Sequence, residues 1–240
     1  MPTILLGLFV GALAAPLAHH LAVQAGADQP WRFSAAVCRR CGTNHGRLAA
    51  PCPSCGLGAN RVWLTVAALA AVNGALAWRI GPRWVLGSYL LFGFLTVILF
   101  LTDVDHKRIP NRITYPGTPL AGVLLLAGAW LDGTVQAFPR AMGGALASTG
   151  FFFLVYLAAR GGFGFGDVKL AALLGLFVAF DGWDRLLVAG FATAVVGGLM
   201  ALVAVMAGAR AKTEIPYGPA MIVGAWITIL GDGRLTDLLL

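Results

Sequence analysis

Charge is what this 240-residue sequence has least of: Asp, Glu, Lys and Arg together make 11% of it, against 59% hydrophobic residues. An ordinary soluble domain carries about 25% charged residues. A chain this apolar could not hide its surface in water, which excludes a soluble globular fold. The start of the chain lacks a basic segment and an obvious small-residue cleavage site before His19 and His20. That argues against a cleaved signal peptide and for an anchoring helix. There is no convincing internal repeat, and no glycine-rich strand-to-helix turn of the kind that cradles nucleotide-like cofactors.

What is present is a series of long apolar runs. Residues 84–102, 113–131, 141–159 and 186–209 contain no Asp, Glu, Lys or Arg. Each is near the roughly 20 residues that cross a bilayer as a helix. The pattern predicts an all-α integral membrane protein, a polytopic bundle of about eight transmembrane helices. The spans fall at about 3–23, 61–80, 84–103, 113–131, 139–159, 167–183, 186–209 and 216–231. Glycine, with 32 residues, recurs inside these runs (Gly143, Gly144, Gly197, Gly198). In a bilayer small residues let helix backbones approach closely, so a tightly packed bundle is expected.

Orientation follows from the basic residues. The loops after spans one, three, five and seven hold twelve Lys and Arg, and the opposite loops hold Arg79, Arg83, Arg140, Arg185 and Arg234. Positive charge stays inside, so the first group faces the cytoplasm. The net charge of +7 is then mainly a topology signal. Scattered over four loops, it forms no continuous stripe for nucleic acid.

One sizeable hydrophilic segment, 24–60, joins the first two spans and holds all four cysteines, as Cys38-Arg-Arg-Cys41-Gly and Cys52-Pro-Ser-Cys55-Gly. Two such knuckles suit a tetrahedral structural zinc site, a small cytoplasmic zinc-ribbon-like loop with Cys38, Cys41, Cys52 and Cys55 as ligands. A reducing cytoplasm disfavours the alternative of two disulfides. His45 stays outside the ligand set. The division expected is 1–23 as first transmembrane helix, 24–60 as the zinc-binding loop and 61–240 as the transmembrane catalytic domain.

Acidic residues at span ends are costly and mark function. Asp103 lies at the cytoplasmic end of span three, in Thr102-Asp103-Val104-Asp105-His106, and Asp167 at the cytoplasmic start of span six, in Gly164-Phe165-Gly166-Asp167. Asp167 gains from the dipole of its own helix, whereas Asp103 stands at a helix C-terminus, where a negative charge is disfavoured. Two carboxylates brought within hydrogen-bonding range cannot both ionise easily, and a pair sharing one proton is the chemistry of an aspartic peptidase. Glycines before Asp167 would free the backbone to bring it toward Asp103.

These residues resemble the type IV prepilin peptidases, membrane aspartic proteases of the G-x-G-D class. The resemblance rests on Asp103 followed seven residues later by Pro110-Asn111, on Gly164-Phe-Gly166-Asp167-Val-Lys169-Leu, and on Ile215-Pro216-Tyr217-Gly218-Pro219 before the last span. It covers the region from 84 to 231 and implies Asp103 and Asp167 as the catalytic pair, the Pro110 spacing selecting Asp103 over Asp105. Asp105 and His106 then shape the site or sit in solvated loop. The implied substrates are prepilins or pseudopilins, with a basic leader and an apolar helix, cut after a glycine at the cytoplasmic face of the bacterial inner membrane. Bifunctional members also methylate the new terminus, which would bring in S-adenosylmethionine. Their insert is longer and has its C-P-x-C pair first, an order this chain departs from. A polytopic transporter would instead place polar groups at span centres. A metal-dependent lipid-modifying transferase would need clustered carboxylates around magnesium. His19, His20 and Tyr217 read as interfacial anchors.

Overall fold

The computed structural model describes residues 1–26, 36–37, 44–45, 59–159, 164–208 and 216–231. Among them are eight α-helices: α1 (Pro2–Gly26), α2 (Ala59–Ile80), α3 (Leu86–His106), α4 (Asn111–Leu131), α5 (Phe138–Ala158), α6 (Phe165–Asp181), α7 (Asp184–Met206) and α8 (Gly218–Leu230). Five of these helices (α1, α2, α3, α5 and α7) are long and apolar enough to cross a membrane, so the chain is a multi-pass membrane protein. The others fall short for visible reasons. Helix α4 is long enough at 21 residues but its first half is polar, holding Asn111, Arg112, two threonines and two prolines, whereas α6 has 17 residues and α8 has 13. A short antiparallel pair, β1 (Ala36–Val37) with β2 (Asn44–His45), is registered Ala36 to His45 and Val37 to Asn44. Cys38, Cys41, Cys52 and Cys55 lie outside the described residues.

Helices α3, α6 and α8 form the centre. Nearly every residue of α6 from Asp167 to Phe180 is buried. Phe177 of α6 meets α3 twice, edge-on to Tyr89 at 5.0 Å and tilted against Phe92 at 4.5 Å between ring centroids. Trp226 of α8 donates its indole N–H to Thr96 Oγ1 of α3 at 3.2 Å and stacks on Phe100. Elsewhere α1 packs along α2, α5 along α6, and α7 along α8.

The expectation of close backbone approach holds at particular glycines. A Cβ on Gly175 of α6 would stand 2.5 Å from the Gly144 carbonyl oxygen of α5, and one on Gly11 of α1 would stand 2.6 Å from the Leu69 carbonyl oxygen of α2. No larger residue fits without moving backbone. Gly198 has open space instead, so glycine there is not explained by packing. Several threonine hydroxyls are satisfied within their own helices, as where Thr102 donates to the Ile98 carbonyl at 2.8 Å and Thr228 to that of Gly224 at 2.8 Å. That local pairing suits a medium without water.

Each central helix is fixed at the end away from Asp103 and Asp167 by a charged side chain from elsewhere. The Asp132 carboxylate accepts from the Trp84 and Val85 amides, at 2.8 and 3.0 Å, at the start of α3. Arg140 donates to the Ala179 carbonyl at 2.9 Å and to that of Phe180 at 2.5 Å, at the end of α6. Arg185 donates to the Thr228 carbonyl at 2.9 Å, at the end of α8. An acid at a helix start and bases at two helix ends complement the peptide dipoles and satisfy groups that a helix leaves open.

Candidate active site

Asp103, Asp167 and Gly218 come from three different helices and meet at one end of the bundle. Asp103 is in the last turn of α3, which continues to His106, beyond the expected end at 103. Asp105 and His106 are therefore helical rather than loop residues. Two residues past Asp103, Asp105 points about 200° round the helix and is exposed, whereas Asp103 is only 4% exposed. Lys107 then closes α3 in the left-handed region, with φ 52°, its amide donating to the Asp103 carbonyl at 2.7 Å. That turn sends the chain back through Ile109 and Pro110 into α4.

Asp167 lies in the first turn of α6 and is 8% exposed. Gly164 is the residue before that helix, and its amide faces the Asp167 carboxylate. Counting from Gly164 as cap, Asp167 is the third residue in, the position from which an acidic side chain reaches back to the cap amide. The G-x-G-D segment is thus a helix start that binds its own carboxylate. Backbone freedom is not the reason for its glycines: Gly164 is ordinary extended chain at φ −77°. Gly166 is there for closeness, since a Cβ would stand 2.9 Å from Ile109 Cβ.

The poor placement of Asp103 at a helix end finds its compensation in α8. The start of α8, at Gly218, abuts the Asp103 carboxyl, and a Cβ on Gly218 would come 2.5 Å from Asp103 Oδ2. The Gly218 amide lies close enough to favour that carboxylate, and Oδ2 is buried without a formed hydrogen bond. The positive end of one helix dipole therefore offsets the negative end of another. Asp167 is within electrostatic reach of Asp103. The arrangement is two buried carboxyls in one low-dielectric site, each facing a glycine amide at a helix start. It can bind a water between acid and base partners.

A cleft of about 470 Å³ opens beside Asp167, lined by Lys107, Arg108, Arg112 and Lys169 together with the Gly164–Gly166 backbone. Tyr217, expected as an interfacial anchor, is half-buried just before α8. Its ring lies 6.3 Å from that of Phe152 on α5, beside Gly197 of α7, and its phenol is within electrostatic reach of Asp167. His19 likewise turns to α2, with Nδ1 3.4 Å from Thr65 Oγ1. The roles of Gly218 and Tyr217 were not readable from local pattern, because both depend on a turn meeting other helices. Among the described residues no three His, Cys, Asp or Glu side chains gather as metal ligands would, so nothing there favours a magnesium-dependent transferase.

Comparison with known proteins places the chain in a family. The family model described as the type IV leader peptidase family matches residues 89–202, a range that includes both aspartates. A prepilin leader peptidase/N-methyltransferase of Pseudomonas aeruginosa is 25% identical over 98% of this chain and 91% of its own length. One of Bacillus subtilis is 32% identical over 77% of this chain and 73% of its own. One of Stutzerimonas stutzeri is 29% identical over 79% of this chain and 65% of its own. No solved structure matches.

Proposed function

As a member of the type IV leader peptidase family this chain is a peptidase that removes leaders from prepilin precursors, and we propose that Asp103 and Asp167 are its aspartic pair. The observation that carries the reading is the burial of both carboxyls at one end of the bundle within electrostatic reach of each other. One carboxylate, ionised, takes a proton from water as the water oxygen attacks the scissile carbonyl carbon. The other, protonated, donates to the carbonyl oxygen as the tetrahedral intermediate forms. Collapse breaks the C–N bond, and a proton passes to the leaving amine. The amides of Gly164 and Gly218 favour the charged forms of the two carboxyls without adding a competing base.

The site lies at the end of α3 and the starts of α6 and α8, a side whose excess of Lys and Arg supports a cytoplasmic face, and the family's substrates would put that face on the bacterial inner membrane. All eight helices then serve as spans, with 24–60 as the cytoplasmic zinc loop and 61–240 as the catalytic domain. Substrates with a basic leader and an apolar helix, prepilins or pseudopilins, would lie with the helix in the membrane and the leader outside it. Purified protein incubated with a synthetic precursor of that design, a glycine preceding the cut, should release the leader at one position by mass. An intact precursor, or scattered cuts, would count against the reading.

Cys38, Cys41, Cys52 and Cys55 would hold zinc as a closed structural site, since four thiolates leave no position for substrate. The β1–β2 pair supports this, because its strands flank the segment holding Cys38 and Cys41 and bring that segment's ends together. Purification under reducing conditions should yield about one zinc per chain, and chelation should cost substrate docking or folding before chemistry. Four freely alkylated thiols without metal would exclude the site. N-methylation, the second activity in the relatives' names, would draw on S-adenosylmethionine. The cysteine order departs from that expected for bifunctional members, and no described residue is assigned to that activity.

A further inference from the structure

We propose that Lys169 is a positioning residue, which with Asn111 clasps together the two segments that carry the aspartates. The inference rests on the aspartic-pair reading and adds a residue to it. The Lys169 ammonium donates to Asn111 Oδ1 at 2.6 Å. It also stands over two rings, Tyr115 at 4.9 Å and Phe165 at 4.7 Å from their centroids. Asn111 and Tyr115 are four residues apart at the start of α4, and Phe165 and Lys169 four apart at the start of α6. Residues so spaced share one helix face, so each helix offers a two-residue jaw and the ammonium fills the space between. An ammonium over aromatic faces is held by the ring quadrupoles as well as by its hydrogen bond.

The position of this clasp gives it a consequence. Asn111 is eight residues beyond Asp103, and the connection between them turns sharply at Lys107, in the left-handed region. Lys169 is two residues beyond Asp167. Just before Asp167, Gly166 sits flush against Ile109 of the same connection. Contacts on both sides of Asp167 thus tie α6 to the segment that leaves Asp103, and the separation of the two carboxyls depends on them. The role proposed for Lys169 is that of a tie between two segments rather than of a charge on the site. Its action is geometric, and geometry governs turnover more than binding, because a shift of about 1 Å in a reacting group can cost roughly 10²-fold.

The test uses the full chain in mixed micelles with a precursor carrying a basic leader, a glycine before the cut and an apolar helix. Lys169→Met, which keeps the stem and removes the ammonium, should lower kcat about tenfold with KM within about twofold. Asn111→Ala should do the same, and the double variant should be no worse than the poorer single, since partners in one contact are non-additive. Lys169→Arg, which retains a cation over both rings and a donor for Asn111, should recover kcat to within about threefold of the parent. Unchanged kcat in Lys169→Met and Asn111→Ala would overturn the clasp. So would a rise confined to KM, which would make Lys169 a substrate contact, or losses that multiply in the double variant. If Lys169→Met does not fold, Asn111→Ala and Lys169→Arg decide alone. Asp103→Asn run alongside separates the two ideas: dead there but active in the clasp variants, the enzyme keeps its aspartic mechanism and loses only the clasp.

Discussion

Asp103→Asn and Asp167→Asn should each abolish leader cleavage, a loss on the order of 10⁴-fold, while the folded protein stays in the membrane. Asn is nearly isosteric with Asp and can still accept from the Gly218 or Gly164 amide. It cannot take a proton from water or donate an acidic one. Since the two carboxyls act as one unit, the double variant should be no slower than either single, strong non-additivity being the mark of a shared step. Asp105→Asn should keep measurable activity, because that side chain is exposed and points away from the pair. Cleavage assays on membranes, with the amount of folded protein checked by gel filtration, separate the outcomes. A dead Asp105→Asn beside an active Asp103→Asn would move the first aspartate by two residues and leave the peptidase reading standing. Normal cleavage by both Asp103→Asn and Asp167→Asn would end the aspartic mechanism.

The next largest effect is expected where no charge is touched. In Gly218→Ala the new methyl would stand 2.5 Å from Asp103 Oδ2, 3.2 Å from its Cγ and 3.4 Å from Ile109 Cδ1. Either the Asp103 carboxyl swings away or the start of α8 retreats. Both outcomes withdraw the amide that compensates the carboxylate at the end of α3. A displacement of this size should lower kcat by about 10²-fold. The fitting control is Gly198→Ala on α7, where an added Cβ meets nothing within 4 Å and activity should stay at the parental level. Equal activity in the two variants would mean that the close approach of α8 to Asp103 is not needed for turnover.

How much of this was legible beforehand differs from residue to residue. The helices were, because a run of about 20 residues without charge has one inexpensive conformation in a bilayer. The eight helices fall where the apolar runs fall. Asp103 and Asp167 stand out because acids at span ends are costly, and the spacing to Pro110 singles out Asp103 over Asp105. The end of α3 is less legible, since the polar run from Thr102 to Arg108 reads as the start of a loop although the helix runs on to His106. Gly218 was visible as part of a Pro-Tyr-Gly-Pro turn, but not as the amide that faces Asp103, because that role belongs to a third helix more than a hundred residues away. The contacts of Tyr217 are hidden for the same reason: an aromatic ring at a span end reads as an interfacial anchor, and its neighbours on α5 and α7 are distant in sequence. Arg140 and Arg185 read in the sequence only as topology signals, and both are occupied with the carbonyls of other helices.

The charged side chains at the far ends of α3, α6 and α8 also act as stops against sliding. A helix in hydrocarbon meets little resistance to movement along its own axis, because one lipid-facing surface is much like the next. Each stop fixes where its rod begins, and the rod's length then fixes where its other end arrives: about 27 Å from Val85 to Asp103 and about 18 Å from Asp167 to Ala179, at 1.5 Å per residue. One extra residue between stop and aspartate adds about 1.5 Å and rotates the side chain by about 100°. The lengths of α3 and α6 between those points are therefore quantised. Substitutions along their sides are a matter of packing, but a single insertion or deletion forces a choice between breaking the stop and turning the carboxyl out of the site.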